Sequence, residues 1–168
     1  MPLVTTGMTS SPLLPLPVPR WPHCGEDATS LDPVGCRGHQ VPGESLCLAH
    51  LAPAARATYL ATLSPGDDID HCGTTFTSPL LSELLNALRD PTSGRAHLGR
   101  GRFDGATFSD SAGFEDATFS DVAWFGGATF SADAHFRGAT FSADAQFIEA
   151  TFSAGAWFGG ATFSLSPR

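Results

Sequence analysis

Four residues in the N-terminal third of the chain have the types and the spacing of a zinc site. Cys24, Cys36, Cys47 and His50 form the pattern C-x11-C-x10-C-x2-H. Three thiolates and one imidazole are a typical tetrahedral ligand set for structural zinc. The sequence shows no secretory signal, so clustered cysteines favour metal binding over disulfide formation. We therefore predict one structural zinc ion held by these four side chains.

The spacing leaves the fourth ligand and the role of the thiols open. His39 also follows Cys36 at C-x2-H spacing, and His23 adjoins Cys24, so either imidazole could replace His50. Free, partly buried thiols are the alternative to a metal site. A redox or catalytic role is the least favoured, because a catalytic zinc needs an open coordination position and four ligands would close it.

Local sequence suggests how the ligands are presented. Cys24-Gly25 and Cys36-Arg37-Gly38 resemble tight turns in which backbone amides face a thiolate. Cys47 and His50 are three residues apart, so a helix that begins there would place both ligands on one side.

Two helices are predicted after this segment. The first begins at about Pro53, which suits a first helical turn, and stops at Pro65-Gly66. The second is capped by Ser78, opened by Pro79 and ended by Asp90-Pro91. Its apolar stripe consists of Leu80, Leu81, Leu84, Leu85 and Leu88. We expect this stripe to cover the first coil of the domain that follows rather than to bind a partner helix.

The segment between the two helices contains Ile69 and Phe76 and is predicted to lay a first strand against that coil. His71 and Cys72 are adjacent within it. Adjacency alone is a weak signal for metal binding or catalysis, so we expect both residues to be structural.

The C-terminal half is dominated by a phenylalanine repeat with alternating steps of five and six residues. Twelve of the thirteen phenylalanines lie there, each preceded at the second position by alanine or glycine. The mean step matches neither an α-helix nor a coiled coil. A chain that turns a corner at every step closes into a four-sided coil, so that each residue stacks on the residue 22 positions later.

The repeat units are AGFED, AWFGG, AHFRG and AQFIE, which alternate with six-residue units such as ATFSDS and ATFSAD. They resemble the bacterial pentapeptide-repeat family over roughly Ala96 to Ser164. The resemblance implies a right-handed, four-sided parallel β-helix. We therefore predict a mainly β protein, a β-helix with a small N-terminal Cys/His-rich and α-helical cap. The sixth residue of every second unit is expected to bulge from alternate corners.

The predicted organisation has five parts: a disordered proline-rich leader (1–20), a Cys/His-rich zinc module (21–51), a helical cap (52–95), the β-helix (96–164) and a short tail (165–168). The last coil is expected to be open, with Leu165 the only residue able to fold over its aromatic rings. We therefore expect either that two chains form a homodimer end to end through this C-terminal coil or that the protein is soluble only at low concentration.

The 22-residue coil predicts four internal columns of phenylalanine and regular outer columns. Threonines precede the phenylalanines on two opposite sides. On the other two sides the outer residues vary: Arg102, Trp124 and Gln146 form one column, and Gly113, His135 and Trp157 form the other. Exposed tryptophans predict a partner-binding surface made of Arg102, Trp124, Gln146, His135 and Trp157. The simpler alternative is that each indole packs across its neighbouring coil.

The chain lacks the marks of an enzyme: it has no nucleophile-elbow motif, no phosphate-binding glycine loop and no HExxH. The predicted function is a non-enzymatic, cytoplasmic interaction or scaffold module that binds an unidentified protein. No run is long enough to span a membrane. With a net charge of −8, the chain is not expected to bind nucleic acid directly.

The family resemblance implies one alternative function, since some pentapeptide-repeat proteins mimic DNA and modulate DNA topoisomerases. From Leu98 onward there are eight acidic residues and four arginines. Duplex DNA carries about one charge per 1.7 Å of axis, and three coils spaced by about 4.8 Å form a column of only about 15 Å. That column would need roughly nine net negative charges. The eight acidic residues and four arginines leave a net charge of only −4, so charge disfavours DNA mimicry.

Overall fold

The computed structural model describes residues 17–164, and it consists of two short helices and a parallel β-helix. Helix α1 spans Pro53–Ala61 and helix α2 spans Ser78–Ala87. Every strand is two residues long. In chain order the strands are β1 Ile69–Asp70, β2 Thr75–Phe76, β3 His97–Leu98, β4 Gly101–Arg102, β5 Thr107–Phe108, β6 Ala112–Gly113, β7 Thr118–Phe119, β8 Ala123–Trp124, β9 Thr129–Phe130, β10 Ala134–His135, β11 Thr140–Phe141, β12 Ala145–Gln146, β13 Thr151–Phe152, β14 Ala156–Trp157 and β15 Thr162–Phe163.

Four parallel sheets form the sides of the β-helix, which confirms the predicted architecture. The Arg/Trp face consists of β1, β4, β8 and β12, and the His/Trp face consists of β6, β10 and β14. The first threonine face consists of β2, β5, β9 and β13, and the second of β3, β7, β11 and β15. Strands such as β5 and β9 pair in register, Phe108 with Phe130, so successive coils are 22 residues apart.

The interior contains the four predicted phenylalanine columns. Rings that succeed each other in a column lie 4.7–5.2 Å apart and are nearly parallel. Rings of different columns meet edge to face or tilted, as aromatic quadrupoles favour. Phenylalanines from Phe103 to Phe141 are sealed from solvent, whereas Phe163 in the last coil is 56% exposed.

The corners alternate between two geometries, and this explains the alternating step of the repeat. Each five-residue unit closes a tight turn in which an alanine amide donates to the preceding phenylalanine carbonyl, as Ala128 does to Phe125 (3.1 Å). The residue before that alanine has a positive φ; it is glycine in most units, but Asp116 and Glu149 also adopt this conformation. In the described chain the six-residue corners contain no residue with positive φ. The extra residue thus replaces the left-handed residue in rounding the corner.

The β-helix begins before the uninterrupted repeats. Strands β1 and β2 pair with β4 and β5 at an offset of 32 residues instead of 22, because α2 and its connections are inserted between β2 and β3. The predicted first strand is therefore confirmed as two short strands. The boundary predicted at residue 96 marks the start of the regular repeats, while strand pairing starts at Ile69.

Helix α2 closes the top of the column. All five leucines of its stripe are buried in one cluster with the phenylalanines. The predicted cap residue was wrong by one position: the hydroxyl of Thr77, not of Ser78, accepts from the Leu80 amide at 3.3 Å. The Ser78 hydroxyl instead donates to the Ser111 carbonyl at 2.6 Å and ties the helix to the coil below.

Helix α1 begins at Pro53 as predicted but ends at Ala61, before Pro65-Gly66. In the described part of the chain, neither helix has the length or the apolar character needed to cross a bilayer. The predictions for most of the leader, for Leu165 and for the tail lie outside the described residues.

Candidate metal centre

The four predicted ligands lie together. The sulfurs of Cys24, Cys36 and Cys47 and a ring nitrogen of His50 are all within 4.8 Å of one another. The Cys36 and Cys47 sulfurs are 3.7 Å apart, and His50 Nδ1 lies 3.3 Å from Cys24 Sγ and 3.5 Å from Cys47 Sγ.

These distances fit a tetrahedral zinc site. Thiolates 2.3 Å from a tetrahedral zinc ion stand about 3.8 Å apart, and a thiolate and an imidazole nitrogen stand about 3.6 Å apart. The three measured distances lie close to these values. The geometry selects His50 among the three candidate imidazoles, because neither His23 nor His39 belongs to the cluster found in the described chain.

Two turns and two isolated antiparallel bridges, His23 with His39 and Gln40 with Cys47, bring the cysteines together. The Gly25 amide donates to the Cys36 carbonyl (2.8 Å), and the Cys24 amide donates to the Gly38 carbonyl (2.8 Å). The Gly38 amide faces the Cys36 sulfur at 3.4 Å, as predicted for this turn. Amides that face a sulfur stabilise the thiolate that a metal requires.

Cys47 and His50 share a single turn rather than the start of a longer helix. The Cys47 carbonyl accepts from the amides of His50 (3.0 Å) and Leu51 (3.1 Å), and α1 begins only at Pro53. One turn is sufficient to place both ligands on the same side.

The electrostatics of the cluster favour a thiolate at Cys36. The pKa of Cys36 is lowered, chiefly because the Cys47 thiol shares its proton with it and because the Gly38 amide faces it. The pKa of Cys47 is raised by the same shared proton and by burial. Zinc would displace the shared proton, since metal binding to thiols releases protons.

Asp27 is an exposed neighbour of the cluster that the sequence pattern did not reveal. One of its carboxylate oxygens lies 3.7 Å from His50 Nε2, the ring nitrogen that faces away from the sulfurs. Zinc-binding histidines commonly direct their second nitrogen at a carboxylate. Asp27 has a positive φ, so the turn that contains it sets this approach.

Arg37 holds the loop between Cys24 and Cys36. Its guanidinium group makes two 2.9 Å hydrogen bonds to the carboxylate of Asp32 and a third to the Gly35 carbonyl. This contact lowers the pKa of Asp32. The indole nitrogen of Trp21 donates to the Arg37 carbonyl at 2.7 Å.

Below this module lie the coils already described. Residues 94–139 and 128–164 match the family model for pentapeptide repeats (9 copies). Residues 94–164 belong to the pentapeptide-repeat family. No curated protein and no solved structure matches the chain.

The Cys/His module docks on the first coil of the pentapeptide-repeat column. The His39 amide donates to the Cys72 carbonyl at 2.7 Å. Gly73 lies directly beneath Arg37, where a side-chain carbon on residue 73 would overlap with the Arg37 carbonyl oxygen. His39 Nδ1 lies 3.8 Å from an Asp70 carboxylate oxygen, so His39 serves this junction rather than the metal centre.

His71 and Cys72 are both buried in the pentapeptide-repeat column. The His71 amide donates to the Arg102 carbonyl just as Phe103 donates to Trp124 one coil later, so His71 occupies a phenylalanine position. Its Nε2 lies 3.2 Å from the Tyr59 hydroxyl, whereas its Nδ1 has no hydrogen-bond partner among residues 17–164. The inserted helix hides this register in the sequence.

The five predicted partner-binding residues fall into two groups on opposite sides of the column. Arg102, Trp124 and Gln146 lie in one line on the Arg/Trp face, and His135 and Trp157 lie on the His/Trp face. These residues cannot form a single patch, because the two threonine faces separate the groups.

The two tryptophans differ in exposure. Trp124 is half-buried, and the guanidinium carbons of Arg100 and Arg102 lie 5.8 and 5.4 Å from its ring centre. Arg102 also contacts the carboxylates of Asp70 (3.3 Å) and Asp104 (3.7 Å). Trp157 is 44% exposed, with Arg137 5.5 Å from its ring centre. The packing of Trp124 fits the simpler structural alternative, and Trp157 offers more free surface.

Proposed function

We propose that this protein is a non-enzymatic scaffold, in which a zinc-bound cap closes a short pentapeptide-repeat column that presents a flat face to a protein partner. The observation that carries the proposal is the contrast between a sealed aromatic interior and the exposed indole of Trp157. Backbone ladders on all four sides make such a column rigid, and a rigid surface loses little entropy when it binds.

Zinc is the first element of this proposal. The ligand distances and the carboxylate beside His50 support it. Protein prepared without chelator is expected to contain about one zinc per chain, and Cys47→Ser is expected to lose it. Cys72→Ser is the matched control, since Cys72 is buried outside the cluster. Metal analysis near zero for the unaltered protein would contradict this element.

The partner surface is the second element. Trp157, with His135 beside it and Arg137 over one side of the indole, offers an aromatic anchor and a cation. Tryptophan and arginine are enriched among residues that dominate binding energy. The Arg/Trp face contributes less in this proposal, because Arg102 lies over Trp124 and is itself paired with Asp70.

Chemical cross-linking followed by affinity capture and mass spectrometry tests this surface. Trp157→Ala is expected to lose the captured partner, whereas Thr140→Ala, on a threonine face, is expected to retain it. Equal capture by both variants would rule out the His/Trp face. Capture of topoisomerase subunits would instead favour the DNA-mimic alternative.

The arrangement of acidic residues gives that alternative no support. The eight acidic residues of the repeats are divided among the four corners, with two at each corner: Asp104 and Glu149, Asp110 and Asp133, Glu115 and Asp116, and Asp121 and Asp144. A DNA mimic would require continuous negative tracks along the column.

Self-association through the last described coil is a further part of the proposal. Ile148, Trp157 and Phe163 are the large exposed apolar residues of that coil, at 68%, 44% and 56% exposure. Sedimentation is expected to show a concentration-dependent dimer that Phe163→Asp abolishes. A monomer for the unaltered chain well above micromolar concentration would contradict it.

The proposal also places the protein in a reducing compartment such as the cytoplasm. In support, none of the four cysteines forms a disulfide in the described chain, and thiols persist in reducing compartments. Thiol alkylation in intact cells followed by mass spectrometry tests this: disulfide-bonded Cys24, Cys36 or Cys47 would contradict it.

A further inference from the structure

The sulfurs of Cys36 and Cys47 are in direct contact within the candidate metal centre. They lie 3.7 Å apart, whereas the Cys24 sulfur makes its short contact, 3.3 Å, with His50 Nδ1. The cysteine spacing favours a metal site over a redox role, but a contact between two sulfurs is also what a disulfide requires. A disulfide bond is about 2.05 Å long, so side-chain rotation has to close a gap of about 1.7 Å.

A groove of about 590 Å³ gives access to one residue of this pair. It lies between the Cys/His module and the first threonine face, which contributes Thr75 and Thr107 to the opposite wall. Cys36 and the exposed His50 line the groove, and Cys36 is only half-buried. Cys47, by contrast, is sealed from solvent at 0% exposure. An oxidant that enters the groove therefore meets Cys36 first.

The charges around this groove narrow the kind of oxidant. Glu26, Asp27 and Asp32 line it, and the only guanidinium group that lines it in the described chain, that of Arg37, is paired with Asp32 at 2.9 Å. His50 is neutral when it binds a metal. The groove is therefore acidic and disfavours anionic oxidants such as glutathione disulfide. Hydrogen peroxide is small and uncharged, so the carboxylates do not repel it.

We propose that Cys36 and Cys47 form an oxidation site, at which a small, uncharged hydroperoxide such as hydrogen peroxide converts two zinc ligands into a disulfide. The loss of metal in this step rests on the zinc site proposed above, whereas the disulfide requires only the two sulfurs. In a reducing compartment thiol exchange restores both thiols, so the oxidised form is transient.

The reaction consumes one hydroperoxide for each disulfide. A bound zinc ion keeps both sulfurs as thiolates, the form that peroxides oxidise. The Cys36 sulfur attacks one peroxide oxygen, the O–O bond breaks, and a sulfenic acid forms with release of hydroxide. The Cys47 sulfur then attacks the Cys36 sulfur, the S–S bond forms, and the sulfenic oxygen leaves as a second hydroxide. The two sulfurs supply the two electrons that reduce the peroxide, and zinc, with two of its four ligands lost, is released.

Oxidation frees the two ligands that the disulfide does not use, Cys24 and His50. Cys24 follows Trp21 by three residues. The Trp21 indole packs at the junction with the first coil, 3.1 Å from the position of a side-chain carbon on Gly73. Without the metal the segment that contains Cys24 holds Trp21 less firmly, so the indole becomes more accessible to solvent.

Peroxide treatment of the purified full chain, followed by alkylation and tryptic mass spectrometry, tests the pair. Hydrogen peroxide is expected to remove two of the four thiols and to release about one zinc per disulfide. Trypsin separates the two cysteines, so the disulfide is expected to join peptide 21–37 to peptide 38–56, with the alkylated thiol at Cys24. Cys72 is the internal control: it is as buried as Cys47 but lies outside the sulfur cluster of the described chain, and it is expected to stay reduced. Glutathione disulfide is expected to react roughly tenfold more slowly.

A disulfide that contains Cys24, oxidation of Cys36 to a sulfinic acid without a disulfide, or four intact thiols would overturn the pair. Glutathione disulfide that reacts as fast as hydrogen peroxide would overturn the class of oxidant. Failure of the zinc proposal gives a different result. Zinc-loaded protein with unreactive thiols would leave the zinc site standing, whereas metal-free protein that forms the disulfide would refute the zinc site alone.

Fluorescence of Trp21 tests the structural consequence. In a Trp124→Phe/Trp157→Phe background Trp21 is the only tryptophan, since the chain has three. Peroxide is expected to raise acrylamide quenching of Trp21 at least twofold, and dithiothreitol is expected to reverse the change. Cys72→Ser in the same background is the matched control and is expected to respond in the same way, because Cys72 lies outside the cluster. Unchanged quenching in protein whose disulfide has been verified would overturn the loosening of the Cys24 segment.

Discussion

Gly38 lies against Cys47 so closely that a side-chain carbon on residue 38 would stand 2.6 Å from the Cys47 Cβ and 2.8 Å from its sulfur. Gly38 also directs its amide at the sulfur of Cys36. One glycine therefore sets the separation of two ligands. The geometry of the candidate metal centre depends on this backbone approach as well as on the four side chains of the cluster.

Gly38→Ala is accordingly expected to weaken zinc binding by at least tenfold, because its methyl group must push Cys47 out of the ligand cluster. Competition with a chromophoric chelator measures the change. Gly159→Ala is the control: no atom of the described residues lies within 4 Å of its new carbon and its φ is not positive, so zinc affinity should not change. Equal affinities for the two variants would show that Cys47 can move without loss of the metal.

Phe130 and Trp124 allow an inner position of the β-helix to be compared with an outer one. The ring of Phe130 is sealed from solvent and stacks 4.7 Å from both Phe108 and Phe152. Phe130→Ala is expected to reduce the free energy of unfolding by about 3–5 kcal/mol through loss of packing and cavity formation. Trp124→Ala should cost only about 1 kcal/mol, mainly lost contact with the two guanidinium groups. Urea unfolding of both variants checks this. Similar losses would mean that Trp124 belongs to the core.

Glu149 occupies a corner where the other coils place glycine. Its φ is 59°, and Gly127, one coil earlier, has a φ of 64°. A left-handed conformation costs a residue with a side chain about 1–2 kcal/mol. Glycine avoids this cost but loses more chain entropy on folding, which cancels part of the gain. We expect Glu149→Gly to raise the free energy of unfolding by about 0.5–1 kcal/mol.

Gly127→Ala is the converse variant and should lower the free energy of unfolding by about 1 kcal/mol. Its new carbon would contact nothing nearer than the Gly105 nitrogen at 4.0 Å, so backbone strain is the main effect. Chemical denaturation of the pair measures both changes. Destabilisation by Glu149→Gly would show that the Glu149 side chain contributes more than its backbone costs.

His71 is expected to make the stability of the column depend on pH. Burial lowers its pKa from 6.5 to about 4, against a smaller opposing effect of Asp70. As the pH falls, His71 therefore becomes protonated near pH 6.5 in the unfolded chain but only near pH 4 in the folded chain. The stabilising effect of neutral His71 is complete above pH 6.5 and declines as the pH falls towards 4, by on the order of 3 kcal/mol.

Comparison with His71→Phe isolates this effect from acid release of zinc, which both proteins would share. The variant places a phenylalanine at a position that is equivalent to Phe103 of the next coil. It also removes the buried Nδ1 of His71. The difference in unfolding free energy between the two proteins should grow in favour of the variant from pH 6.5 to pH 4. Parallel pH profiles would contradict the assignment.

Much of the fold could be predicted because the repeat constrains every residue in the same way. Phe103 to Phe163 alternate with small residues at a period that only a four-sided coil satisfies, and the structure confirms all four columns. The three cysteines of the candidate metal centre could also be found, because clustered cysteines are visible in the sequence. The choice among His23, His39 and His50 could not, since it depends on which imidazole the folded turns bring to the sulfurs.

The sequence by itself determined the period, and with it the sides, the core and the outer columns of the β-helix. Only the tertiary structure decided how the N-terminal segments join it. His71 occupies a phenylalanine position 32 residues before Phe103, an offset that no repeat count predicts because α2 is inserted between β2 and β3. The approach of Asp27 to His50 and that of Gly38 to Cys47 were decided in the same way, because only the folded turns bring these separate parts of the chain together.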